Sequence, residues 1–89
     1  MRRVLQTANF SKQKKRLHKN QISDLDEAIR IIMKNPESGE QKKGDLASVF
    51  VYKCRLSGQL HLIAYIFDES CITLLSVGSH ENFYRDLKR

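Results

Sequence analysis

The longest apolar run in this 89-residue sequence is eight residues, 60–67, and it contains His61. That is far short of the ~20 residues a membrane-spanning helix needs. No seven-residue apolar stretch lies near Met1, so a secretory signal is not expected. Cysteine occurs twice, at Cys54 and Cys71, enough for one bridge at most; with no other sign of export, both are read as reduced thiols, inert within apolar strand runs, in a cytoplasmic protein. The three histidines are scattered and no Cys-x-x-Cys or His-x-x-x-His occurs, so neither a metal site nor a cofactor is expected. The four glycines are isolated, which excludes a glycine-rich phosphate loop. Proline appears once, and repeats and low-complexity tracts are absent. A chain this short buries only about 60–65% of the surface it exposes when unfolded, so residues 1–89 are read as a single domain with one modest core.

Charge is what the sequence has in excess. Sixteen Lys and Arg against ten Asp and Glu give +6, which favours polyanionic or acidic partners. The excess is uneven. Residues 1–19 hold Arg2, Arg3, Lys12, Lys14, Lys15, Arg16 and Lys19 and no carboxylate. Residues 20–41 reverse the sign through Asp24, Asp26, Glu27, Glu37 and Glu40, and residues 42–56 return to basic with Lys42, Lys43, Lys53 and Arg55. A basic run alone is equally an ordinary solvated helix face.

The single proline lies in Asn35-Pro36-Glu37-Ser38-Gly39, which breaks a helical first half from a strand-rich second half. Ile22, Leu25, Ala28, Ile29 and Ile32 recur at helical spacing, with Ser23 or Asn20 as the expected cap. Asp24, Asp26 and Glu27 suit the positive end of that helix. Residues 9–19 predict an earlier surface helix capped by Asn9 and anchored by Phe10 and Leu17, with His18 in its basic run; Arg2 to Ala8 predict an opening strand. Three β-rich runs follow, 48–56, 59–67 and 72–77. Ser57-Gly58 predicts a two-residue hairpin turn, which sets Arg55 opposite Leu60, Lys53 opposite Leu62 and Tyr52 opposite Ile63. Asp68-Glu69-Ser70 forms the next turn. Alternation then separates Val49, Val51, Lys53, Arg55, Leu60 and Leu62 from Phe50, Tyr52, Cys54, His61, Ile63 and Tyr65. Residues 80–88 predict a short final helix capped by Ser79, with Phe83 and Leu87 as its anchors.

His80, Tyr84 and Lys88 share one stripe of that last helix. At the positive end of a helix an unprotonated imidazole can accept a proton, and the same end attracts phosphate. Tyr84 can hydrogen-bond a phosphate or stack on a base. Lys53 and Arg55 supply cations for a phosphoryl group gaining charge. A metal-free ribonuclease needs such parts: a base for the ribose 2′-OH, cations for the pentacoordinate phosphorus, and an acid for the departing 5′ oxygen. The plainer alternatives are a structural histidine at a helix start and two cations whose stems lie along the sheet edge. His61 reads as a core-face strand residue.

Lys53-Cys54-Arg55-Leu56-Ser57-Gly58, Leu62-Ile63-Ala64-Tyr65-Ile66-Phe67-Asp68 and Leu75-Ser76-Val77-Gly78-Ser79-His80-Glu81-Asn82-Phe83-Tyr84, in the order β-α-α-β-β-β-short helix, resemble the RelE/ParE superfamily of type II toxins. The resemblance implies an α+β fold, with a twisted antiparallel sheet of about four strands on two N-terminal helices and a short C-terminal helix. It also implies a cognate antitoxin that covers the sheet face, with operator DNA reached only through that antitoxin. In the RelE branch it implies metal-free cleavage of mRNA in the ribosomal A site, leaving a 2′,3′-cyclic phosphate; in the ParE branch, poisoning of DNA gyrase. Lys53 and Arg55 match basic strand positions of the nucleases, and His80 with Tyr84 matches their His-x-x-x-aromatic ending. Val51 and Leu60 depart, standing where some nucleases carry Lys or Arg. The expected site is thus His80, Tyr84, Lys53 and Arg55, with Lys12, Lys14, Lys15, Arg16, Lys19, Lys42, Lys43, Arg85 and Lys88 toward RNA or ribosome. A gyrase poison and a non-catalytic basic binding module are the alternatives.

Overall fold

In the computed structural model, residues 2–42, 48–80 and 83 are described. The chain runs β1 (Arg3–Gln6), α1 (Ala8–Lys15), α2 (Lys19–Lys34), a 3₁₀ turn (Pro36–Ser38), β2 (Glu40–Gln41), β3 (Phe50–Leu56), β4 (Gln59–Phe67) and β5 (Cys71–Ser79). The five strands form one sheet in the order β1-β5-β4-β3-β2. The expected four-strand antiparallel sheet is therefore corrected in two respects. A two-residue strand, β2, is added beside β3, and β1 pairs with β5 in parallel.

The hairpin follows its turn. Ser57 and Gly58 both take positive φ, 53° and 83°, the geometry that matches the twist of the flanking strands. All seven pairs from Phe50↔Tyr65 to Leu56↔Gln59 follow from that loop. Asp24 reinforces it from outside, accepting the Ser57 N–H at 2.7 Å, so this carboxylate ties α2 to the hairpin. Because α2 begins at Lys19, Asp24, Asp26 and Glu27 lie beyond its first turn and do not serve its positive end as expected.

Helix starts differ from expectation. Thr7, not Asn9, caps α1, its hydroxyl accepting the Phe10 N–H at 3.1 Å. His18 is the N-cap of α2 instead of a member of the first helix, and its N–H donates to Gln21 Oε1 at 2.9 Å. The apolar face of α2 lays Leu25, Ala28 and Ile32 on the sheet; together with Phe10, Leu56, Ile63, Tyr65, Ile72, Leu74 and Val77 they form the main core.

Alternation sends the remaining strand residues to the opposite face. There Val49, Val51, Leu62, Ala64 and Phe83 make a second, smaller cluster. A β-bulge where Ala64 pairs with Ser76 and Tyr65 with Leu74 leaves Leu75 as the extra residue, packed against this cluster. Phe83 is helical and buried; the rest of the expected final helix, Tyr84, Arg85 and Lys88 included, lies outside the described residues, as does Lys43.

Candidate functional site

His80 follows the last residue of β5 directly and is exposed. It borders an open cleft of about 340 Å³ with Gln59, Leu60 and Ser79. The β4–β5 register runs through Leu62↔Gly78 and His61↔Ser79, so one further step sets His80 beside Leu60. Leu60 in turn pairs with Arg55. Arg55, Leu60 and His80 thus occupy one row across the open face, its two ends separated by two strand spacings, roughly 10 Å. Lys53 lies one row inward on the same face, opposite Leu62.

The cations are on this face but do not converge on the imidazole. Arg55 is exposed and its Nη1 donates to the Gly58 carbonyl at 3.2 Å, holding the guanidinium at the hairpin end. Its groove is shared with Asp24, Glu27, Ala28, Ile31, Tyr52 and Cys54. Lys53 is exposed beside Ser38, Glu40, Val51 and Tyr52. Among the described residues, therefore, His80, Lys53 and Arg55 line three separate grooves rather than one cavity, and the groove of Arg55 opens on the α2 side of the hairpin.

The two departures from the basic pattern have structural consequences. Val51 is 3% exposed and belongs to the small cluster, so an apolar residue there seats Phe83. Leu60, half-buried, forms the apolar wall between Arg55 and His80.

The α1 cations are divided. Lys12, Lys15, Arg16 and Lys19 are exposed, whereas Lys14 is half-buried and pairs with Asp26 at 3.7 Å. Lys42 is also half-buried and pairs with Glu40 at 3.3 Å. His61 is a core residue; its Nδ1 lies 3.0 Å from the Gln59 carbonyl, a contact that needs the proton on that nitrogen.

Both cysteines are free and half-buried, less enclosed than their apolar runs suggest. Burial, with the Asp24 carboxylate adding to it, pushes the Cys54 thiol up to about 11, which leaves little thiolate nucleophile at neutral pH. Among the described residues no three His, Cys, Asp or Glu side chains gather as a metal set, and no helix is long and apolar enough to cross a membrane. Two neighbours of the site carry no sequence signal. Gln59 enters the His80 cleft from the hairpin turn, and Gln13 reaches β5 from the middle of the basic helix.

Comparison with known proteins agrees with this architecture. The intact RelBE toxin–antitoxin complex of E. coli contains a chain that superposes with a TM-score of 0.72 at 18% identity, covering 89% of this chain and 96% of that one. The YoeB/ParE toxin of Agrobacterium tumefaciens superposes at 0.70 with 19% identity, covering 90% and 99%. YafQ of E. coli superposes at 0.64 with 12% identity, covering 91% and 96%. At such identities the likeness is one of fold. No curated protein sequence matches the chain. A family model, ParE-like toxin of type II bacterial toxin-antitoxin system, matches residues 4–88, spanning both helices, all of the sheet but Arg3, and the segment that carries His80. By that match the chain belongs to the ParE-like toxins of type II toxin–antitoxin systems.

Proposed function

We propose that this toxin is a ribosome-dependent endoribonuclease that cuts mRNA in the A site, and that a cognate antitoxin neutralises it. The observation that carries the reading is an exposed imidazole at the end of β5, in an open cleft on the face that also presents Lys53 and Arg55. An imidazole titrates near neutral pH and can move a proton where a lysine or arginine cannot. In the proposed step, the ribose 2′ oxygen loses its proton and bonds to the adjacent phosphorus while the bond to the 5′ oxygen breaks. One of His80 and Tyr84 takes the 2′-OH proton and the other returns a proton to the leaving oxygen, giving a 2′,3′-cyclic phosphate and a 5′-hydroxyl. Lys53 and Arg55 stabilise the charge that builds on the phosphoryl oxygens.

The exposed Lys12, Lys15, Arg16 and Lys19 line the α1–α2 corner as the surface for rRNA backbone, with Lys14, Lys42, Lys43, Arg85 and Lys88 as further contributors to the basic field. The related RelBE structure is a complex of toxin with antitoxin; an acidic segment laid over the open face of this chain would block the same cleft and satisfy its charge.

A second reading, gyrase poisoning, is favoured by the ParE-like family description and by the apolar Val51 and Leu60 at otherwise basic positions. One experiment separates the two. In a reconstituted translation reaction, wild type should cut mRNA at ribosome-bound codons, and His80→Ala should lower the rate by about 10²–10⁴-fold, the usual worth of a general acid or base. Intact mRNA together with inhibited DNA supercoiling would overturn the nuclease reading.

A further inference from the structure

β1 ends at Gln6, opposite Leu74, so among the described residues the outer edge of β5 beyond that point has no strand beside it. Polar side chains from the start of α1 take the strand's place. Thr7 Oγ1 donates to the Leu75 carbonyl at 3.0 Å, and Asn9 Nδ2 reaches the same oxygen at 3.5 Å. Gln13 completes the set: its Oε1 accepts the Val77 N–H at 2.7 Å and the Ser76 hydroxyl at 3.2 Å. Ser76 and Val77 are 1% and 3% exposed, so neither donor has water as a ready substitute.

Three residues beyond Val77 stands His80. Among the described residues, the end of β5 is hydrogen-bonded by β4 on one side and by this amide oxygen on the other. We propose that Gln13 is a positioning residue: its Oε1 sets where β5 ends, and hence where the His80 ring stands relative to Leu60 and Arg55. Gln13 sits between Lys12 and Lys14 on the basic helix, so the element offered to the ribosome and the strand carrying the imidazole share one hydrogen-bonded joint. The inference rests on the nuclease reading for its catalytic consequence, but the placement of His80 can be read without catalysis.

The experiment compares wild type, Gln13→Leu and Gln13→Glu. Leucine removes the acceptor at similar size; a glutamate carboxylate keeps an oxygen for both donors. On programmed ribosomes, Gln13→Leu should lower kcat by about 10–100-fold, the scale of a misplacement near 1 Å, with KM for ribosomes unchanged. Gln13→Glu should recover most of the rate. The His80 imidazole NMR signals should move in Gln13→Leu and return toward wild type in Gln13→Glu. A rise in KM with kcat intact would overturn the proposal, as would unmoved His80 signals or a rate loss that tracks the unfolded fraction measured on the same samples. If wild type cuts no mRNA, the nuclease reading fails, and the NMR comparison alone then decides whether Gln13 places His80.

Discussion

The two faces of the sheet are built for different ends. Toward the helices, Phe10, Leu25 and Ile32 close over Leu56, Ile63, Tyr65 and Ile72, every one of them fully buried. Phe50, Tyr65 and Phe67 add a run of ring contacts, with centroids 5.0 to 6.3 Å apart. On the far face, among the described residues, five buried side chains gather, Phe83 included, and Lys53, Arg55 and His80 stand exposed at their margin. A small domain has apolar residues for one complete core. By concentrating them on the helix side, this chain leaves a face on which charged and titratable groups remain in water, where they can meet a polyanion without first losing a large desolvation energy.

The sharpest way to break the comparison is to truncate one phenylalanine on each face. Phe10→Ala should cost about 3–5 kcal/mol, the range for removing a buried ring, out of a total of about 5–10 kcal/mol for a domain of this size. Phe83→Ala should cost clearly less, because the cluster it seats in is small and borders the open face. Urea unfolding midpoints at constant slope measure both. Equal losses would mean that the far face is a second core and not a partly covered working surface.

A smaller effect is expected where the helix-side core fastens the proline turn. The Tyr65 hydroxyl donates to the Pro36 carbonyl at 2.6 Å and accepts the Gly39 N–H at 3.0 Å. Burial, the largest cause, pushes the phenol up from its ordinary range, so it remains a donor through neutral pH. Tyr65→Phe leaves both backbone groups without that partner and should cost about 1–3 kcal/mol. Gly39 is fixed in part by the same contact: a Cβ there would come within 2.6 Å of the Tyr65 oxygen and 3.0 Å of the Val51 carbonyl oxygen, although its backbone is ordinary extended chain. Gly39→Ala should therefore destabilise in wild type and less so in the Tyr65→Phe background; simple additivity in the double mutant would refute the latch.

How much of this was legible follows from the range of each cause. The hairpin is local: Ser57-Gly58 dictates the turn, the turn dictates the register, and the register sorts the side chains onto two faces. The apolar stripe of α2 is local too. What escaped is tertiary. β2 is two residues long, too short for any periodicity, and exists because β3 offers it an edge. The parallel pairing of β1 depends on where two helices return the chain, not on the composition of Arg3–Gln6. Thr7 and Asn9 are both good caps, and only Thr7 lies at the position where β1 stops. At the site, the exposure of His80 and its row with Leu60 and Arg55 follow from the register. The separation of the cations into different grooves does not, because it depends on side-chain partners such as the Gly58 carbonyl. Gln13 sits between two lysines and gave no signal at all; its role appears only once β1 is seen to end early.

The smallest expected effect belongs to the turn that joins β4 to β5. Asp68 Oδ1 accepts the Ser70 N–H at 2.8 Å, the Cys71 N–H at 2.9 Å and the Ser70 hydroxyl at 3.0 Å. These bonds favour the ionised form, the Cys71 N–H most of all, and hold the carboxyl below its ordinary 3.8, with Arg2 adding a minor pull. The folded state therefore binds this proton less readily than the unfolded chain. The stabilisation is complete above the unfolded pKa and is lost as pH falls through the lower folded value. Asp68→Asn keeps a side-chain oxygen for the turn but has no charge to lose, so its urea midpoint should fall less steeply than that of wild type between about pH 5 and about pH 2. The carboxylate is fully exposed, so the difference in slope should be slight, smaller than either core effect. Parallel curves for the two proteins would show that the charge contributes nothing and that the turn is held by geometry alone.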